Sequence, residues 1–192
     1  MRAIDIFRKH KDEVTRLWTE TVFKTYPLET TGFLRTKQDP FGNPVGHMTK
    51  EAAAALYDAV IGESVDIEDT RKALDRFIKL RAVQKFTPSQ GLGVFSLMKP
   101  LLRTHVLPEL LIKKKLHDYL EAESRLDSLT LLAFDMYVKD REILAESRIT
   151  EIRNQYAQLA RWAQRLNAAS PLAVEDQGAE AEMHSTEGQG SV

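Results

Sequence analysis

A chain of 192 residues, 43% of them apolar and 29% charged, is long enough for one well-buried core and too short to hold two comfortably. It has no cysteine, which removes disulfides, thiolate nucleophiles, iron–sulfur clusters and cysteine zinc sites together. The net charge of −1 hides a tail, residues 170–192, with five acids and no Lys or Arg; the mild basic excess elsewhere lacks a basic stripe interleaved with aromatics, which argues against nucleic acid as a partner.

The start, MRAIDIFRKHKDEV, interrupts its apolar residues with charges every few positions, so no signal-peptide core is expected there. No later segment approaches eighteen uninterrupted apolar residues. The expectation is a cytoplasmic protein without membrane insertion. Residues 3 to 25 place Ile4, Phe7, Val14, Leu17, Trp18 and Val22 at three- and four-residue steps, a helix with one apolar stripe that Pro27 ends. From Leu28 to Met48, Gly32, Asp39-Pro40, Gly42-Asn43-Pro44 and Gly46 are turn chemistry. They predict a long ordered loop with one short helical piece around Glu29 to Arg35.

Thr49 is the expected cap of a helix through Ile61, stopped by Gly62, and Asp66 that of the next, whose Leu74, Phe77 and Ile78 face inward. Thr87-Pro88-x-Gln90 is a capping box with Pro at the first helical position, and the helix it opens should run to about His105, bent at Pro100. Pro108 opens the next segment. Lys113-Lys114-Lys115 reads as a solvated helix face. From Pro108 to Pro171 no proline or glycine occurs, so helix is expected throughout, with one break between about Leu116 and Leu126. Its first part, rich in Leu129, Leu131, Leu132, Ala133, Phe134 and Tyr137, is apolar over most of its girth and reads as a core helix. In its second part Ile149, Ile152, Tyr156, Leu159, Ala163 and Leu166 alternate three- and four-residue steps, a heptad seam that predicts a homodimer. The class is all-α, about seven helices with a long C-terminal one, in one domain over 1–168 followed by a disordered acidic tail over 169–192.

Two cations fall on faces that should be buried. Arg81 lies four residues after Phe77 and seven after Leu74, and Lys99 lies four after Phe95 and seven after Leu92. Each must meet an acid, a carbonyl cluster, water or an anionic ligand, because an unpartnered buried charge costs several kcal/mol. Asp135 is the favoured internal partner of Arg81. With Gln84, Ser89 and Gln90, the two cations form the candidate site for a small ligand or a partner's carboxylate. Gly91 and Gly93 each cost about 1 kcal/mol inside a helix, which close packing of another helix would justify. His105 and His117 are the candidates for an alternative reading, a haem-binding or redox-associated globin-type sensor. HExxH, GxSxG, P-loop and GxGxxG patterns are all missing, so no catalytic residue, metal ligand or cofactor is assigned.

Asn43-Pro44-Val45-Gly46, then Arg81-Ala82-Val83-Gln84-x-Phe86-Thr87-Pro88-Ser89-Gln90, then Phe95 and Lys99, then Ala133-Phe134-Asp135-x-Tyr137, resemble the N-terminal domain family of the RsbT co-antagonist proteins over roughly residues 5 to 160. The resemblance implies a globin-like helical domain without haem, a non-catalytic sensory or interaction module of bacterial stress signalling. Such a domain binds a small ligand or protein partner and relays through its C-terminal helix. In that family an output module usually follows. None is seen after this chain's last helix, so the output is expected from a separate signalling protein or membrane complex.

Overall fold

Helix α1, Ala3–Phe23, forms where apolar residues recur every three or four positions, and its buried stripe of Phe7, Val14, Trp18 and Val22 is the spine about which the other helices collect. The computed structural model describes residues 2–36, 39, 41–63, 67–84 and 86–169. After α1 come α2 Leu28–Thr36, α3 Pro44–Ile61, α4 Ile67–Val83, α5 Pro88–Ser96, α6 Met98–His105, α7 Leu107–Ile112 and α8 Leu116–Ala169. No strand occurs among the described residues, so the expected all-α class with a long C-terminal helix holds. Asp66, the expected cap of α4, and the acidic tail from Ser170 lie outside the described residues.

The chain divides into two compact units, Met1–Leu144 and Ala145–Val192. In the first, α3 lies against α1 and α4, and α1 also meets α6. The centre is an aromatic triangle. Trp18 of α1 stands 5.8 Å from Phe77 of α4 and 6.4 Å from Phe95 of α5, and those two rings are 6.1 Å apart. The buried indole N–H donates to Val94 O at 2.7 Å, so the largest core side chain leaves no polar atom unbonded. Tyr57 likewise donates to Phe7 O at 2.7 Å, and burial pushes its hydroxyl well above the usual phenol range. In the second unit every residue from Ala145 to Ala168 is exposed.

Several boundaries differ from the sequence expectation. α3 begins at Pro44, not Thr49: the Asn43 side chain accepts from Gly46 N at 2.9 Å, and Pro44 takes the first helical position, so the supposed turn is a helix start. Thr49 is buried one turn inside, its hydroxyl donating to Val45 O. The expected bent helix from Thr87 to His105 is two helices, divided at Leu97, whose amide turns back to Val94 O. Pro100 falls in the first turn of α6, where a missing amide is tolerated.

Lys113 to Lys115 are a turn, not a helix face. Lys114 N donates to Leu111 O and Lys115 N to Leu110 O, with Lys114 at φ 56°, a Schellman stop built without glycine. This is the break expected farther on, and α8 then runs uninterrupted from Leu116. α8 is not a core helix over most of its girth. Tyr119, Ala122, Leu126, Ala133 and Tyr137 make one buried stripe, while Leu131, Leu132 and Phe134 lie outside it and are exposed.

Candidate functional site

The residues singled out in the sequence converge where α4 ends and α5 begins. Arg81 stands in the last turn of α4 and is 0% exposed, as its spacing from Phe77 and Leu74 requires. Its guanidinium donates to Gln90 O at 2.8 Å, Gly91 O at 3.4 Å and Thr25 Oγ1 at 3.1 Å. The Thr25 hydroxyl donates onward to Val22 O, so a lone pair is what it offers the arginine. The guanidinium carbon sits 3.8 Å from the Phe86 ring centre and 5.4 Å from that of Tyr26, and the two rings meet edge to face.

The partners of Arg81 are therefore carbonyls, a hydroxyl and two π faces. No ion pair joins it to Asp135 or to another carboxylate among the described residues. Asp135 is exposed, because Ala133 and Tyr137 define the buried face of α8 and a residue midway between them points to the other side. The cation is tolerated because all three nitrogens are bonded, the C-terminal end of α4 favours positive charge, and the flat guanidinium stacks on an aromatic ring.

Thr87 closes the expected capping box: Gln90 N donates to Thr87 Oγ1 at 3.3 Å, and Thr87 N to Gln90 Oε1 at 3.0 Å. Gln90 thus serves twice, its side chain capping α5 and its carbonyl holding Arg81. Tyr26 donates to Gln84 Oε1 at 2.9 Å, and Ser89 Oγ lies 3.1 Å from the Thr87 hydroxyl. Arg81, Gln84, Ser89 and Gln90 are brought together here. Lys99 is not among them: it is 26% exposed and pairs with Asp127 of α8 at 2.6 Å, an acid being one of the four kinds of partner left open by its spacing.

α8 reaches the same junction. Tyr137 donates to Phe86 O at 3.2 Å and Arg141 to Ala82 O at 3.1 Å. A Cβ added at Gly91 would fall 2.8 Å from the Tyr137 ring, so the close helix packing expected of the glycine pair holds there, whereas Gly93 faces open space. Sequence reasoning missed Tyr26 and Arg141, and named Phe86 only as part of the family motif. The four-residue spacing of Tyr137 and Arg141, which puts both on one helix face, was the available signal. Beside Arg141, burial lifts the Asp140 carboxyl above the usual carboxylate range against the pull of Lys79, and its Oδ2 is buried without a hydrogen bond.

Of the two histidines considered for an inward placement, His105 is half-buried and lies 3.5 Å from Glu13, whereas His117 is 85% exposed and pairs with Glu121 on its own helix. No group of three or more His, Asp or Glu stands together as a metal site among the described residues, and none of their helices is long and apolar enough to cross a membrane. In the second unit the seam residues Ile149, Ile152, Tyr156, Leu159 and Leu166 are all exposed, Tyr156 to 70%. Trp162 is exposed to 62% and stands three residues after Leu159 and four before Leu166; the strict alternation of steps selects its neighbour Ala163 and so passes it over.

A family model described as the RsbT co-antagonist protein rsbRD N-terminal domain matches residues 12–152. No curated protein and no solved structure matches.

Proposed function

Because this chain belongs to the RsbT co-antagonist protein rsbRD N-terminal domain family, a family of regulatory signalling domains, we propose that it senses a small ligand or protein partner through its helical body and relays the result through α8 without catalysis. The observation that carries the reading is the double hold on the α4–α5 connection. Arg81 grips Gln90 and Gly91 from within, and Tyr137 and Arg141 of α8 grip Phe86 and Ala82. A shift in that connection cannot leave all of these bonds intact, so α8 is biased by whatever moves it.

The relay ends in a pair of chains. Ile152, Leu159 and Leu166 repeat at seven residues, flanked by Ile149, Tyr156 and Ala163, and a second copy covers such a seam by symmetry.

The double variant Tyr137→Phe, Arg141→Met removes the α8 hold while keeping its bulk. Hydrogen exchange should then quicken across residues 82–91 and change across 145–169. Faster exchange in the connection with no change at all in 145–169 would contradict the relay.

A further inference from the structure

The turn between α7 and α8, apart from the Arg81 junction, carries three consecutive cations that the regulatory reading does not use. The three lysine amides are bonded within the chain: Lys113 N donates to Glu109 O, Lys114 N to Leu111 O and Lys115 N to Leu110 O. Leu110 before the turn and Tyr119 after it are buried and fasten both of its ends to the body. The turn is therefore built from within and needs no ligand for its own shape.

What it presents outward is mixed. Leu111, Ile112 and Leu116 flank the lysines and are exposed, Ile112 to 77%. None of the three lysines has a carboxylate within ion-pair distance among the described residues. The acids close by in the chain are engaged elsewhere. Glu109 is held by Lys9 and His10, Glu121 pairs with His117, and Asp118 stands in the first turn of α8, where the helix N-terminus favours a negative charge. Three exposed apolar side chains and three cations lacking counter-charges thus share one tip.

A second copy meeting it, with the turn on a two-fold axis, sets the same three cations against themselves, which like-charge repulsion disfavours. A partner helix or extended peptide docks in a groove or along a sheet edge, and this is a turn between two helix ends. A bilayer surface needs neither symmetry nor a groove. It takes apolar side chains at the headgroup boundary while its anionic headgroups meet the cations, and the two signals act together where one alone is marginal. Lysine suits that boundary, since its stem lies along apolar material with the ammonium among the headgroups.

We infer that the α7–α8 turn docks the protein on the surface of an anionic bilayer. Leu111, Ile112 and Leu116 enter the headgroup boundary, and Lys113, Lys114 and Lys115 meet the lipid charges. This is contact with one face of the bilayer, not a span, and it is independent of the regulatory reading.

Co-sedimentation of the full chain with vesicles of phosphatidylglycerol or of phosphatidylcholine reads the contribution of lipid charge. The parent should bind the anionic vesicles at least about tenfold more tightly than the neutral ones, and salt of about 1 M should weaken that binding at least about tenfold. Lys113→Gln, Lys114→Gln and Lys115→Gln together should weaken it about a hundredfold, and Leu111→Ser with Ile112→Ser about tenfold or more. None of these five side chains is buried, so the thermal midpoints should stay near the parent's. Lys24→Gln, Lys50→Gln and Lys139→Gln remove the same charge from exposed positions elsewhere and should leave binding within about twofold. The parent's own preference between the two vesicles reads the same whether or not a variant folds. Failure to sediment with phosphatidylglycerol, equal binding to both vesicles, parent affinity in the lysine triple, or an equal loss in the scattered triple would overturn the inference. So would parent affinity in the serine pair, which would make the turn a site for an acidic protein chain rather than a bilayer.

Discussion

The Arg81 junction and the seam of Ile152, Leu159 and Leu166 depart from ordinary burial in opposite directions. At the junction a permanent cation sits at 0% exposure, with every nitrogen bonded by neighbours from α5 and from the turn that follows α1. In the seam large apolar side chains stand in water with no covering group among the described residues. The first departure is answered inside the chain and the second is not. A polar group in a core can be satisfied by a few carbonyls within hydrogen-bond reach, whereas an apolar stripe needs a surface, and a single helix has none to offer itself.

The largest stability effect is expected at the junction. Arg81→Ala removes a fully buried side chain and its bonds, and a loss of about 3 kcal/mol should appear in urea unfolding. Arg81→Met keeps most of the volume and needs no charge buried, so it should fall within about 1 kcal/mol of the parent. An Ala variant within about 0.5 kcal/mol would mean that the arginine is solvated, and the contrast with the seam would fail.

Next comes the glycine pair of α5. Gly91→Ala drives a methyl into the Tyr137 ring and should cost about 1–3 kcal/mol. Gly93→Ala meets open space in the same helix and should stabilise by about 0.5–1 kcal/mol. Opposite signs at positions two residues apart would confirm that α5 touches α8 on one side only. A smaller effect attaches to the cap: Thr87→Ala should cost about 1 kcal/mol and Pro88→Ala little, and an unchanged thermal midpoint for the first would show that α5 does not start there.

Much of this was legible in the sequence, for reasons that also mark where it stopped being so. The burial of Arg81 follows from its distance to Leu74 and Phe77, and the capping box follows from residue types at fixed spacing, so both are local facts. The partner of Arg81 is not local. Asp135 has the right charge, but its side of α8 is set by Ala133 and Tyr137 meeting the body, which no spacing within α8 alone decides. Asn43-Pro44 carries both marks of a helix start, but the glycines on either side make it read as a turn. Lys114 carries no turn mark, since the left-handed region usually belongs to glycine or asparagine.

That last position gives the smallest expected effect. Lys114→Gly relieves a side chain held at positive φ and should stabilise by about 0.5–1 kcal/mol in thermal unfolding, and no gain would mean that the lysine makes compensating contacts.

The seam carries the central claim, that this regulatory domain works as a pair, and the mass of the intact chain in solution tests it most directly. Light scattering at micromolar concentration should give twice 21.8 kDa for the parent and 21.8 kDa for Leu159→Asp. A parent mass of 21.8 kDa, or a pair that survives the aspartate, would contradict it.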